Sequence, residues 1–236
     1  MNTIGLIGGM SYSSTIIYYD QLNKLSNRHF DNLTTPKILL SSVNFSLIEE
    51  LQHEGNWDQL GYMLNNEAKT LEKAGAEVLA LCTNTMHKVA DVMLEDVSIP
   101  FIHIAESTAK KIKNDGFKKP ALLATKFTME DDFYISKLNE YSLTPIIPTE
   151  KSREILHSVI YDELCFNVKT DESRDKFIDI ALEVQDNEAD SVILGCTEVG
   201  MLLNSENVKL PIYDTCLLYT SPSPRDAHES RMPSSA

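Results

Sequence analysis

The chain has 236 residues, of which 42% are hydrophobic and 24% charged, enough for one large domain or two of about 100 residues, with no apolar run near the ~18 residues that span a bilayer. Its formal charge of −14 argues against nucleic acid as a partner, because phosphate binding draws on clustered Lys and Arg. The opening MNTIGLIGG has no basic start and reads as a strand rather than a secretory leader, so a cytoplasmic, non-membrane protein is expected.

In chain order, IGLIGGM at residues 4–10 reads as a first strand and its turn. It lacks the GxGxxG spacing of a nucleotide loop, and paired glycines after a strand give a tight turn. Residues 57–74 have helical apolar spacing and stop at Gly75. VLALCTN at 78–84 is a short buried-strand run ending in Cys-Thr-polar, and IPFIHI at 99–104 leads into the helical AESTAKKIKNDG. ALLATKFTM at 121–129 resembles the first strand and turn. A helix over 172–186 follows, then VILGCTE at 192–198 and LPIYD at 210–214.

These segments are one pattern written twice. Cys82 and Cys196 lie 114 positions apart, and the flanking strand pairs recur at similar spacing. Strand alternating with helix means parallel sheets. The expected fold is α/β, with two similar lobes, each a parallel sheet flanked by helices, related by a pseudo-two-fold with the active site between them. The expected divisions are 1–98 for the first lobe, with 206–215 returning to it, and 99–205 for the second. Residues 216–236, rich in Pro and Ser, break the pattern where the repeat calls for a helix and read as a non-native or disordered tail.

The four cysteines, Cys82, Cys165, Cys196 and Cys216, form no CxxC pair and no zinc spacing. A cysteine at the C-terminal end of a parallel strand stands where α/β folds place reactive groups. Cys82 and Cys196 both do, and a following helix start is expected to lower their thiol pKa. Thr83, Asn84, Thr85 and Thr197 add donors for a carboxylate or an enolate. Cys165, in YDELCFNV, reads as a buried hydrophobe, and His87, His103 and His157 as structural.

IGLIGGMS, SVNF with Ile48 to Gln52, LCTNTMHKVAD, LLATKFTMEDDFY and ILGCTEVG together resemble the aspartate/glutamate racemases, closest to the broad-specificity aspartate racemase branch, over residues 1 to about 215. The opening GLIGGMS differs from the Asp-Ser-Gly start of the glutamate branch, and Tyr12-Ser13 stand where the family commonly has Trp-Glu. The resemblance implies an amino-acid racemase, for aspartate, glutamate or a broader set, that needs neither pyridoxal phosphate nor metal. It implies Cys82 and Cys196 as catalytic thiols serving opposite faces of Cα. Met10, Gln52, Thr83, Asn84, Thr85, Thr125, Thr197 and Glu198 would line the substrate site, and a homodimer would form. The alternatives are another thiol enzyme of this scaffold, of hydantoin racemase, maleate isomerase or malonate decarboxylase type, or an inactive dicarboxylate-binding protein.

Overall fold

The computed structural model describes residues 2–30 and 33–216. The expected tail beyond Cys216 lies outside the described residues. Thr215 and Cys216, the last of them, are helical and buried.

The first half runs β1 (Ile4–Gly8), α1 (Tyr12–His29), β2 (Ile38–Ser42), α2 (Phe45–His53), α3 (Trp57–Lys73) and β3 (Val78–Leu81). A 3-10 turn at Thr85–Val89 then leads to α4 (Ala90–Met93) and α5 (Ile104–Asn114). The second half runs β4 (Pro120–Leu123), α6 (Lys126–Glu130), α7 (Asp132–Glu140), α8 (Glu150–Asp162), α9 (Asp171–Asp186), β5 (Ser191–Leu194) and β6 (Ile212–Asp214).

Two parallel sheets result, in the orders β2-β1-β3 and β4-β5-β6. Parallel bridges from Leu79 to Phe101 and from Ala121 to Ile146 add a fourth position to each. With these positions counted, the two sheets have the same strand order, so the sequence repeat is a structural one. The expected return of 206–215 to the first lobe is not observed: β6 pairs with β5 in the second sheet, with Val192 opposite Ile212. Likewise Phe101, placed beyond the expected boundary at residue 98, bridges to the first sheet. Each of these segments lies beside the strand that precedes it, as a parallel crossover requires.

Local chemistry fixes the elements. Ser11, Asn44, Asn56, His103 and Thr170 cap α1, α2, α3, α5 and α9 through side-chain acceptors. The buried face of α3 carries Leu60, Leu64, Ala68 and Leu71, at the spacing of one helical stripe. It packs in a cluster with Ile7, Leu79 and Leu81 on one face of the first sheet. Each such Leu contributes roughly 1.5–3 kcal/mol when fully buried. Alternation sends Leu6, Ala80 and Cys82 to the opposite face. There they join Leu122, Ile193 and Leu194 of the second sheet in one continuous core, so Cys82 sits where the two lobes meet.

Candidate functional site

Cys82 follows β3 directly and is fully buried, its backbone N–H bonded to Ile7 O at 2.8 Å. The residues after it turn in the 3-10 geometry of Thr85–Val89, which aims side chains across the lobe boundary. Thr85 Oγ1 lies 3.0 Å from Thr125 Oγ1 and 3.3 Å from Thr128 Oγ1. Asn84 Nδ2 donates to Thr215 Oγ1 at 3.0 Å, while its buried Oδ1 has no hydrogen-bond partner among the described residues. Gln52, at the buried end of α2, accepts from Tyr161 of α8 at 2.9 Å through Oε1 and donates to Met86 Sδ at 3.0 Å.

Cys196, partly buried, precedes the matching 3-10 turn at Thr197–Met201. Its Sγ donates to Glu198 Oε2 at 3.0 Å, and Ser11 donates to the other carboxylate oxygen at 2.5 Å. Thr197 receives a hydrogen bond from Ser14 and lies 3.0 Å from Cys216 Sγ. The turn before α1 carries Met10, which is buried with the others.

All eight substrate-site residues expected from sequence are therefore buried. Thr85 with Thr125, Gln52 with Tyr161, and Thr197 and Glu198 with the serines of α1 are held by hydrogen bonds between the halves of the chain. Further ties close the rim. Lys88 Nζ meets Asp131 at 2.8 Å and lies 3.9 Å above the Trp57 ring, and Trp57 packs edge-on to Phe127.

Protonation runs against the sequence expectation. Burial pushes the Cys82 thiol far up from its ordinary value. Cys196 is also pushed up, by burial first and then by the Glu198 carboxylate beside it. The helix start that was expected to lower both is only a 3-10 turn, and its few N–H groups do not offset desolvation. Both shifts favour the protonated thiol.

Sequence reasoning missed Ser11, Ser14, Tyr161 and Cys216, whose relevance comes only from the apposition of the lobes. Cys165, read as a buried hydrophobe, is partly buried and packs against the core. That residue sits in a 3-10 turn at Leu164–Phe166 rather than a helix. Its thiol is pushed up to about 12, chiefly by burial and then by the Glu198 carboxylate. His87, in contrast, is structural: Nδ1–H donates to Thr83 O at 2.9 Å and Nε2 accepts from Ile104 N–H at 3.2 Å. A surface groove of about 320 Å³ lined by Lys151, Glu154, Asp162 and Lys176 lies on α8 and α9, away from either cysteine's turn. Among the described residues no group of three or more His, Cys, Asp or Glu could hold a metal, and no helix is long and apolar enough to cross a membrane.

A lobe made twice, with a cysteine at the same strand end in each copy, is the architecture of the two-lobed racemases. The model of the Asp/Glu/hydantoin racemase family matches residues 7–220, and the chain belongs to that family. It is an isomerase, an amino-acid racemase of the kind that works without pyridoxal phosphate. The broad specificity amino-acid racemase RacX of Bacillus subtilis is 23% identical over 96% of this chain and 100% of its own length. A solved aspartate racemase homologue from Pyrococcus horikoshii is 32% identical, covers 98% of this chain and 99% of its own, and superposes with a TM-score of 0.80. The aspartate racemase of Picrophilus torridus shares the fold, with a TM-score of 0.76 at 23% identity over 92% of this chain and 90% of its own.

Proposed function

We propose that the chain inverts the α-carbon of aspartate, glutamate or a broader set of amino acids by two-thiol proton transfer, with Cys82 and Cys196 serving opposite faces. The observation that carries this reading is the repeat itself. The two cysteines follow equivalent strands and adjoin one cross-lobe core. Inversion requires a proton to leave one face and another to arrive at the opposite one, so a base and an acid must stand on either side of Cα.

The remaining residues fit supporting roles. The hydroxyls of Thr85, Thr125 and Thr197 and the backbone N–H groups of the two 3-10 turns are donors for the α-carboxylate and for the enolate that it becomes. The unpartnered Asn84 Oδ1 is an acceptor for the α-ammonium. Met10, Gln52 and Glu198 complete the lining. The substrate's ammonium also brings a positive charge, and a cation within ~4–6 Å favours a thiolate.

The test is racemisation by single cysteine variants. Cys82→Ser and Cys196→Ser should each abolish it, because a hydroxyl is too weak a base near neutral pH. Each should still exchange the α-proton of one enantiomer with heavy water, and the two variants should prefer opposite enantiomers. Near-normal racemisation by either variant would end the two-thiol reading. Aspartate binding by the parent without α-proton exchange would instead mark an inactive binding protein.

A further inference from the structure

The two ends of an amino-acid substrate make different demands on charge. One carboxylate and one ammonium are common to all, and the donors and the Asn84 acceptor named above serve them. Aspartate and glutamate carry a second carboxylate, which needs a cation of its own once it leaves water.

The buried surroundings of the two cysteines supply no such cation. Among the described residues no Lys or Arg is buried, and the only buried acidic side chain is Glu198, 3% exposed. Lys88, in the turn after Cys82, meets Asp131 at 2.8 Å and lies over the Trp57 ring. Lys126, next to Thr125, lies 3.7 Å from Glu154, and Arg153 is bound to Glu130 at 2.8 Å and to Pro148 O at 2.9 Å. The imidazoles nearby are engaged as well. His87 and His157 accept backbone N–H groups through a bare ring nitrogen, and His53 Nδ1 lies 3.1 Å from the Glu49 carboxylate.

The buried face of α2 carries uncharged groups instead. Ile48 and Gln52 stand one helical turn apart, and both are buried. Ile48 shares an apolar cluster with Met10 and Met86. Gln52 donates to Met86 Sδ at 3.0 Å through Nε2 and accepts the Tyr161 hydroxyl at 2.9 Å through Oε1. Aliphatic, thioether and amide groups adapt to side chains of many shapes, but none neutralises a carboxylate. Glu198 does not call for a cationic side chain either, because Cys196 and Ser11 already donate to its two oxygens.

Resting on the two-thiol racemase reading, we propose that the substrates are amino acids with uncharged side chains, and that Gln52 is the position that sets this specificity. Aspartate and glutamate are poor substrates, and their amides, of the same shape but neutral, are good ones. The net charge of −14 adds long-range repulsion of an acidic amino acid.

The experiment compares racemisation of asparagine, glutamine and methionine with that of aspartate, glutamate and lysine by the full chain. Glutamine should exceed glutamate in kcat/KM, and asparagine aspartate, by ~100-fold or more, the loss expected when a buried charge is left unpaired. Methionine should exceed lysine likewise. Parity within either amide and acid pair, a preference for the acid, or a lysine rate that matches methionine would overturn the proposal.

Gln52→Lys should raise the glutamate-to-glutamine ratio, and the isosteric Gln52→Glu the lysine-to-methionine ratio, each by ~10-fold, the worth of one charged hydrogen bond. A merely structural defect lowers all substrates together and leaves the ratios where they were. An unmoved ratio in a folded variant would overturn the role of Gln52, and should Gln52→Lys fail to fold, Gln52→Glu decides.

Cys82→Ser and Cys196→Ser, assayed on the best uncharged substrate, separate the two readings. Normal racemisation by either ends the two-thiol reading, while the parent's ranking still decides the substrate class. If the parent racemises none of these amino acids, calorimetric binding decides the class. Tighter binding of the amides than of the acids supports it, and the reverse order overturns it.

Discussion

Gly9 joins β1 to the turn that carries Met10 and Ser11. Its φ is +92°, a backbone region that costs an L side chain strain, and an added Cβ would lie 2.5 Å from Val43 O. Its N–H is bound by Thr15 Oγ1 at 2.8 Å, which fixes the turn that presents Met10 and Ser11. Gly9→Ala should therefore lose ~2 kcal/mol or more, read as a lower urea midpoint, and racemase activity should fall with it through displacement of Ser11. Parent-like stability would mean that the turn is less closely fitted than the Val43 approach implies. The glycine pair was legible as a tight turn from its place after a strand. Thiol protonation was not, because a cysteine's position in the chain reveals the turn that follows it but not the depth of its burial or the carboxylate packed against it.

At the scale of elements, the repeat made most of the architecture readable. VLALCTN and VILGCTE mark strands whose partners recur at matched spacing, and the helices at Trp57–Lys73 and Asp171–Asp186 lie within a residue of the positions that periodicity gives. The lobe boundary was misplaced because the chain crosses after the strand-like segment around Phe101, not before it. Contacts such as Tyr161 to Gln52 were invisible, since they join α8 to α2 over a separation of 109 residues. That bond predicts a kinetic effect. Removing it by Tyr161→Phe leaves Gln52 Oε1 buried without its donor, at a cost of about 1–3 kcal/mol. KM should rise roughly tenfold, with a smaller change in kcat, because the lost bond holds Gln52, a residue of the proposed substrate lining. A lowered kcat at unchanged KM would instead assign Tyr161 to the chemistry.

Over the whole molecule, three histidines accept backbone N–H groups through bare ring nitrogens. Ile104 donates to His87 Nε2 at 3.2 Å, Ala105 to His103 Nδ1 at 3.2 Å, and Lys126 to His157 Nδ1 at 3.3 Å. The first two lie where the chain passes from one lobe to the other, and the third joins α8 to α6. Protonation would turn each acceptor into a donor and place a charge where burial disfavours it. Burial accordingly lowers all three from the ordinary value of 6.5, His103 to about 4 and His87 well below it. The unfolded chain then binds these protons at a higher pH than the native one. Stability is fully present above pH ~6.5 and is lost as pH falls toward about 4, where His103 itself titrates in the folded state. The slope is up to ~1.4 kcal/mol per pH unit for each histidine in that window. Urea unfolding across it should show a falling free energy, and His103→Asn, which keeps a capping side chain at α5, should flatten the curve by one histidine's share. The upper part of the window lies above the usual carboxylate range, so a loss already under way there belongs to the histidines. A free energy that stayed level down to the onset of carboxylate titration would show that these neutral imidazole acceptors contribute nothing to stability.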